Sequence, residues 1–350
     1  MRVVVVGASG NIGTSLLAAL ADETAVDSVL GVSRRRPDLQ FPRTEWAEAD
    51  IRDDDLRPLL RGADAVVHLA WAIQPSRDAR ALRRTNVWGS ARVLRAVAEA
   101  GVPALVYSSS VGTYSVGPKD RQVDETWPRD GIPTSFYGRH KAEVERLVDL
   151  FERESPSVRV VRLRPALVFK RGAASGIRRL FAGPFLPTPL VRRRFVPFVP
   201  SHRRLRFQAV HSLDVGDAFR LALTRDVRGA FNLAADPVLD GETLGRLLEA
   251  RPVRVPGRML RAAAALTWGL RLQPTPPGWI DLAFGVPLMD TGRARDELGW
   301  TPARTASEAF LELMAGLREG SGLETPPLSP ETGGPARAGE VAGGVGAREV

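Results

Sequence analysis

The run Arg2-Val3-Val4-Val5-Val6, followed at once by Gly7-Ala8-Ser9-Gly10-Asn11-Ile12-Gly13, decides how this chain reads. An unbroken β-branched run ended by glycine has the pattern of a strand buried on both faces of a parallel sheet. Ile12, Leu16, Leu17 and Leu20 then recur at helical spacing and predict a helix over Asn11–Ala21. Glycines between a strand and a helix let the backbone turn sharply and let phosphate oxygens approach closely. The helix start adds free N–H groups and the positive end of its dipole. Gly7, Ser9, Gly10, Asn11, Ile12 and Gly13 are therefore candidate contacts for a dinucleotide pyrophosphate.

Outward from that loop, Val29–Ser33, Trp46–Ala49, part of Ala63–Ala70, Ala104–Ser109 and Val158–Leu163 read as further strands. Ala79–Ala100, stopped by Gly101 and Pro103, and Ser135–Glu154 read as long helices. The alternation implies an α/β protein, a Rossmann-type doubly wound parallel sheet with right-handed crossovers. Residues 1–165 are expected to form the nucleotide-binding domain. Residues 166–318 are expected to form a smaller C-terminal substrate-binding lobe interleaved with the end of the sheet, with Gly229–Ala234 and a helix near Thr305–Leu317 completing it. Residues 183–200, rich in Pro, Arg and Phe, read as an irregular excursion. Residues 319–350 have few apolar side chains and read as a disordered tail.

Composition narrows the class. The 350 residues include no cysteine, so disulfides and thiolate chemistry are excluded. His68, His140, His202 and His211 have no metal-ligand spacing, and no metal is expected. The net charge is +9, but the 49 basic residues are arginines except for Lys119, Lys141 and Lys170, spread along the whole chain. Without a binding motif, that bias does not point to nucleic acid. The N-terminal apolar run is too short for a signal peptide, and Ala262–Leu272 is interrupted by Thr267, Gly269 and Arg271. A cytoplasmic protein with a small-molecule substrate and no membrane partner is expected. Arg258, Arg261, Trp268 and Arg271 can be placed on one helix at a membrane surface, but core packing of Ala262–Leu266 is the plainer account.

The end of the second strand reports on the cofactor. A carboxylate there would bind ribose hydroxyls and favour NAD. The chain has Ser33-Arg34-Arg35-Arg36 instead, and Arg34 beside Ser33 can hold a 2′-phosphate, which tips the expectation slightly toward NADP. Asp50 can accept from an adenine amino group while Ile51 packs on the ring. At the end of the fourth strand, Leu69 and the small Ala70 leave a cofactor room to pass.

Tyr137 and Lys141 lie four apart in a predicted helix and so share a face. A tyrosine acid/base needs its phenol pKa lowered, and a neighbouring ammonium does this. Tyrosine occurs only at 107, 114 and 137, and lysine at three positions, so the spacing is not a product of abundance. Ser108-Ser109-Ser110 closes the fifth strand, at the edge where such sheets bind ligands, and Ser110 can steady a substrate oxygen beside Tyr137. Asn86, inside a long helix, can hold a kink or a water.

In this order the segments resemble the extended short-chain dehydrogenase/reductase superfamily, the NAD-dependent epimerase/dehydratase group. The resemblance runs from the Gly7–Gly13 loop through Asp50-Ile51, His68-Leu69-Ala70, Thr85-Asn86-Val87, Tyr107-Ser108-Ser109-Ser110 and Tyr137/Lys141 to Leu163-Arg164-Pro165. Fainter echoes follow at Val210–Val215, Phe231-Asn232 and Glu297–Pro302. The resemblance implies an NAD(P) cofactor contacted also by Ser108 and Pro165, with Ser110, Tyr137 and Lys141 catalytic and hydride moving at a carbinol or carbonyl carbon. It also implies a homodimer through the helices at Ala79–Ala100 and Ser135–Glu154. The chain departs from the pattern at Arg34, where an acid is common, at Gly112, where a threonine is common, and at Trp71, where a small residue is common. A second reading is a cofactor-binding, redox-sensing regulator without turnover, which would bind NAD(P) and transform nothing.

Overall fold

A computed structural model describes residues 1–73, 77–181 and 197–331. The first half alternates as the sequence predicts. It runs β1 (Arg2–Val6), α1 (Asn11–Leu20), β2 (Ser28–Ser33), β3 (Thr44–Glu48), α2 (Arg57–Leu60) and β4 (Ala65–His68). Then come α3 (Ala79–Arg83), a π-helical turn (Arg84–Trp88), α4 (Gly89–Glu99), β5 (Ala104–Ser108), β6 (Gln122–Val123), α5 (Phe136–Glu154) and β7 (Arg159–Pro165). The second half has β8 (Leu167–Phe169), α6 (Ala174–Phe181), β9 (Phe198–Ser201), β10 (Phe207–His211), α7 (Ser212–Thr224), β11 (Gly229–Leu233) and β12 (Ala235–Leu239). It continues with α8 (Gly241–Leu248), β13 (Arg251–Arg254), α9 (Gly257–Gly269), α10 (Gly278–Gly285), β14 (Leu288–Met289), α11 (Gly292–Asp296) and α12 (Ala306–Glu319).

The main sheet has seven strands in the order β11-β7-β5-β4-β1-β2-β3, all parallel. The order reverses between β1 and β4, which opens a crevice beyond their carboxyl ends. Val3, Val4, Val5 and Val6 are buried, odd positions against α1 and α7 and even positions against α4 and α5. That two-sided burial is why β1 reads as a continuous valine run.

Three stretches differ from the sequence reading. Gly229–Leu233 is the seventh strand of the main sheet, paired with β7, not part of the smaller lobe. The fainter echoes follow it into this core: Trp300 is 1% exposed and its Nε1 donates to the Asp214 carbonyl at 2.8 Å. Phe198–Ser201, at the end of the expected excursion, is strand β9 paired with β13, while residues 182–196 lie outside the described residues. The stretch read as a tail begins with a packed segment. Leu328 is buried, Ser175 Oγ donates to the Ser321 carbonyl at 2.8 Å, and Arg179 donates to the Ser329 carbonyl at 2.8 Å. Few apolar residues are enough there because backbone carbonyls supply the contacts; residues 332–350 lie outside the described residues.

Candidate active site

At the crevice, Gly7 has φ +93°, and a Cβ on it would stand 2.5 Å from the Ala70 nitrogen. A Cβ on Gly13 would stand 2.4 Å from the Ala8 carbonyl oxygen. Both glycines are thus fixed by close approach, Gly7 to the Leu69–Ala70 backbone and Gly13 to the strand-to-helix turn. Gly10 is the N-cap of α1, and no side chain caps that helix. Its first-turn N–H groups have no side-chain acceptor, which suits an anion. Ser9 and Ile12 flank this turn, both largely buried. The Asn11 amide donates to the Val168 carbonyl at 3.2 Å, and its Oδ1 is buried with no partner among the described residues.

Behind α1 sits a feature the sequence reading passed over. Lys170 donates to the Asn11 carbonyl at 2.8 Å, to Thr14 Oγ1 at 2.7 Å and to Ser15 Oγ at 3.0 Å. Burial pushes its ammonium down to about 7. It ties β8 to the first turn of α1.

The far end of the candidate cofactor site is more committed than expected. Ser33 Oγ donates to the Arg35 carbonyl at 2.8 Å. Arg34 lies in the field of Asp50 and Arg52. The Asp50 carboxylate is held by Arg52 Nη2 at 2.7 Å and Nε at 3.0 Å. Ile51, expected to lie under an adenine, is 5% exposed, and its Cδ1 would stand 2.7 Å from a Cβ on Gly89. The side chain therefore serves the α4 contact. Pro165, at the end of β7, is buried in register with Leu233 of β11.

Around the proposed chemistry, α5 starts at its N-cap Ser135, whose Oγ accepts from the Gly138 N–H at 3.3 Å. That puts Tyr137 in the first turn, facing the end of β5. Ser110 Oγ accepts from the Gly112 N–H at 3.0 Å and hydrogen-bonds the Tyr137 phenol. A Cβ on Gly112 would stand 2.7 Å from Tyr137 Cε1, so the missing threonine is explained by the tyrosine ring lying in its place. Lys141 Nζ donates to the Ser108 carbonyl at 2.7 Å and sits 3.6 Å from the centre of the Trp71 ring, a cation–π contact. Trp71 also meets Tyr137 edge-on, and Trp279 of α10 lies 5.2 Å from the Tyr137 ring, closing an apolar wall.

These surroundings overturn one expectation. The Tyr137 phenol is not lowered toward neutrality; burial pushes it up to about 12, with the Ser110 bond working the other way. Lys141 is itself pushed down to about 7 by burial, with Glu145 working the other way, and its ammonium is aimed at Trp71 and Ser108. The ammonium stands 3.6 Å over Trp71 but 6.0 Å from the centre of the Tyr137 ring, too far to offset the burial of the phenol.

Asn86 is fully buried and committed to backbone. Its Oδ1 accepts from the Ala72 N–H at 2.7 Å and its Nδ2 donates to the Ala72 carbonyl at 3.0 Å. It thus clamps the segment that carries Trp71, from within the π-helical turn. His68 is buried and neutral, pushed down to about 3 by burial, and its Nε2 bonds Ser90 Oγ at 2.8 Å. Behind the serine turn lies a network the sequence reading missed. Ser109 Oγ donates to Glu145 Oε1 at 2.5 Å, and Arg164 grips the same carboxylate at 2.9 and 3.0 Å. Burial acts to raise Glu145, but Arg164, Arg162 and Ser109 outweigh it and hold the carboxyl at about 2. Glu145 is one turn beyond Lys141, so the helical spacing that paired Tyr137 with Lys141 already contained it.

Among known proteins, the family model described as "NAD dependent epimerase/dehydratase family" matches residues 3–234. An uncharacterized Mycobacterium tuberculosis protein is 28% identical over 326 residues, 92% of this chain but 31% of that protein, so the chain spans about a third of its length. Sterol demethylase protein B of Methylococcus capsulatus is 28% identical over 350 residues, covering 91% of this chain and 99% of that one. Among solved structures, MoeE5 in complex with UDP-glucose and NAD has a TM-score of 0.68 at 21% identity, over 91% of this chain and 99% of that one. At that identity the likeness speaks for the fold. The match over residues 3–234, together with a glycine loop at the reversal point of a parallel sheet, places this chain in the NAD-dependent epimerase/dehydratase family.

Proposed function

We propose that the chain is an NAD(P)-dependent oxidoreductase of the extended short-chain type, acting on an alcohol or ketone of low polarity, with Tyr137 as its acid/base. The observation that carries this reading is the convergence of Ser110, Tyr137 and Lys141 at the end of β5, against a wall of Trp71 and Trp279. The cofactor cradle fits the residues present. Gly7 and Gly13 have no room for a Cβ, Gly10 leaves the α1 N-terminus uncapped, and Ser9, Asn11 and Ile12 line the same turn. Bound there, the nicotinamide supplies or accepts the hydride. Arg34 would hold a 2′-phosphate, which leaves NADP slightly favoured over NAD; Leu69, Ala70, Asp50 and Ser108 lie along the same edge.

Tyr137 passes a proton to, or takes one from, the substrate oxygen, which Ser110 Oγ holds beside the phenol. A phenol raised to about 12 stays protonated at neutral pH, which is the form that donates to a carbonyl oxygen, but it is a weaker acid than one poised near the working pH. Oxidation requires the phenolate, and hence a protonated Lys141 beside it. A nucleotide sugar is the less favoured substrate. Arg204 and Arg206 spend guanidinium hydrogens on the Gly117, Phe284 and Lys119 carbonyls, which leaves them poorly placed to grip a diphosphate. The name of the Methylococcus relative, sterol demethylase protein B, agrees with an apolar substrate. Exposed Trp88 and Leu150, on the two helices expected to pair, support a homodimer, which light scattering would test.

The test is titration of the chain with NADP⁺ and NAD⁺, with turnover measured on a panel of apolar ketones and nucleotide sugars. Tyr137→Phe is expected to lower turnover by roughly 10²- to 10⁴-fold while leaving cofactor affinity nearly unchanged. Binding without turnover on every substrate would replace this reading with that of a cofactor-sensing regulator.

A further inference from the structure

The packing of helix α9 departs from the reading of its sequence. Core packing was expected for Ala262–Leu266, yet no residue of α9 is buried. The outward face is apolar. Met259, Ala262, Ala263, Leu266 and Leu270 recur at the spacing of one helical stripe, and all are exposed. Met259 is 59%, Leu266 63% and Leu270 61% exposed, with Leu272 just beyond at 51%. The inner face rests on α10, where Gly257 lies against Phe284, and is pinned by Arg77, whose guanidinium stands 4.4 Å over the Trp268 ring. The apolar stripe is therefore turned outward by packing on the other side, not by fraying.

Charge says what covers it. From Ala250 to Ile280 the sequence has no Asp or Glu, and it has arginine at 251, 254, 258, 261 and 271. Only Arg261 has a carboxylate partner among the described residues, Asp281 at 2.8 Å. Arg251, Arg254 and Arg258 are exposed along β13 and the start of α9. A second copy seated on this face by two-fold symmetry would set these arginines against their own counterparts. An anionic bilayer satisfies both halves of the surface, taking the apolar stripe into the acyl boundary and the guanidiniums against its headgroups. With 13 residues, α9 is too short to span a membrane, and no helix among the described residues is long and apolar enough to do so.

We infer that α9 seats this protein peripherally on an anionic membrane surface, with Met259, Leu266 and Leu270 inserted and Arg251, Arg254 and Arg258 on the headgroups. This site is independent of the proposed chemistry, although α10 links the two by carrying Trp279 to the Tyr137 ring.

The experiment is co-sedimentation of the full chain with vesicles of phosphatidylcholine alone or of phosphatidylcholine with phosphatidylglycerol. The protein is expected to pellet with the mixed vesicles and to be released by high salt. Leu266→Ser with Leu270→Ser should weaken that binding by about tenfold or more at unchanged thermal stability, since both positions are exposed. Arg254→Glu with Arg258→Glu should cost about fivefold per arginine on the mixed vesicles. Absence of sedimentation with the mixed vesicles, or equal binding to phosphatidylcholine alone, would overturn the inference. So would a lipid-free oligomer that falls apart on Leu266→Ser with Leu270→Ser, which would make the face an interface between copies.

Discussion

Tyr137, Ser110 and Gly112 form a three-residue unit in which each position constrains the next. The tyrosine ring fills the space a side chain at 112 would need, and Ser110 bonds both the Gly112 N–H and the phenol. Gly112→Thr is expected to displace the ring and lower turnover by about 10²-fold with cofactor affinity retained, because a shift of about 1 Å in a reacting group has that cost. Cofactor titration beside steady-state rates on the active substrate checks it; unchanged rates would mean the ring has slack that the contact distance denies. The phenol pKa also sets a direction with pH. With Tyr137 at about 12, carbonyl reduction should be nearly flat between pH 6 and about 9, while alcohol oxidation should rise up to about pH 7, where Lys141 loses its proton, and level off above it. At this scale the pairing of Tyr137 with Lys141 was legible from spacing. The ammonium's turn toward Trp71 was not, because residues 71 and 141 are far apart in sequence and meet only across the crevice.

The elements are held by polar clamps at their ends. Asn86 sits in the π-helical turn between α3 and α4, where an irregular helix frees side chains to bond elsewhere, and it pairs with both backbone groups of Ala72. Asn86→Ala would leave that buried N–H and C=O unpaired and should cost about 2–4 kcal/mol, read as a lowered Tm together with a shift in Trp71 fluorescence. On α5, Glu145 joins the helix to β5 through Ser109 and to β7 through Arg164. Glu145→Gln would strand Arg164, which is 1% exposed, and is expected to destabilise by about 3–5 kcal/mol in chemical denaturation. A loss below about 1 kcal/mol would show that the network is rearrangeable. The long helices themselves were legible from periodicity and stop signals. The π-helical turn within one of them was not, since nothing in a hydrophobic pattern distinguishes i→i+4 from i→i+5 hydrogen bonding over so short a stretch.

For the molecule as a whole, the three lysines and three tyrosines give stability a pH profile. Lys119, Lys141 and Lys170 are each pushed down to about 7 by burial, from 10.5. Between those values the unfolded chain binds more protons than the folded one, so stability should rise from pH 7 toward 10. Tyr114 and Tyr137 are raised to about 12, from 10.0, so above pH 10 the unfolded chain loses protons first and stability should fall. On the acid side, His68 and His140 are pushed down to about 3 and 4, from 6.5, and stability should be lost as pH drops below 6.5. Thermal melts across this range are expected to peak between pH 9 and about 10, and a maximum near pH 6 would contradict the burial of the lysines.

The sequence by itself determined what depends on neighbours in the chain. The valine run, the glycine turn and the helical repeats fix β1, α1 and the alternation behind them, because period and turn chemistry act over a few residues. Spacing likewise put Tyr137 and Lys141 on one face of α5. Tertiary structure decided what depends on residues distant in the chain. It moved Gly229–Leu233 into the main sheet, since pairing with β7 requires a partner strand that local sequence cannot supply. It buried Ile51 on Gly89, aimed Lys141 at Trp71, and raised the Tyr137 phenol, since desolvation depends on everything that surrounds a group. It also turned the apolar face of α9 outward, because the same alanines and leucines suit a core or a surface, and only the packing of the opposite face on α10 chooses between them.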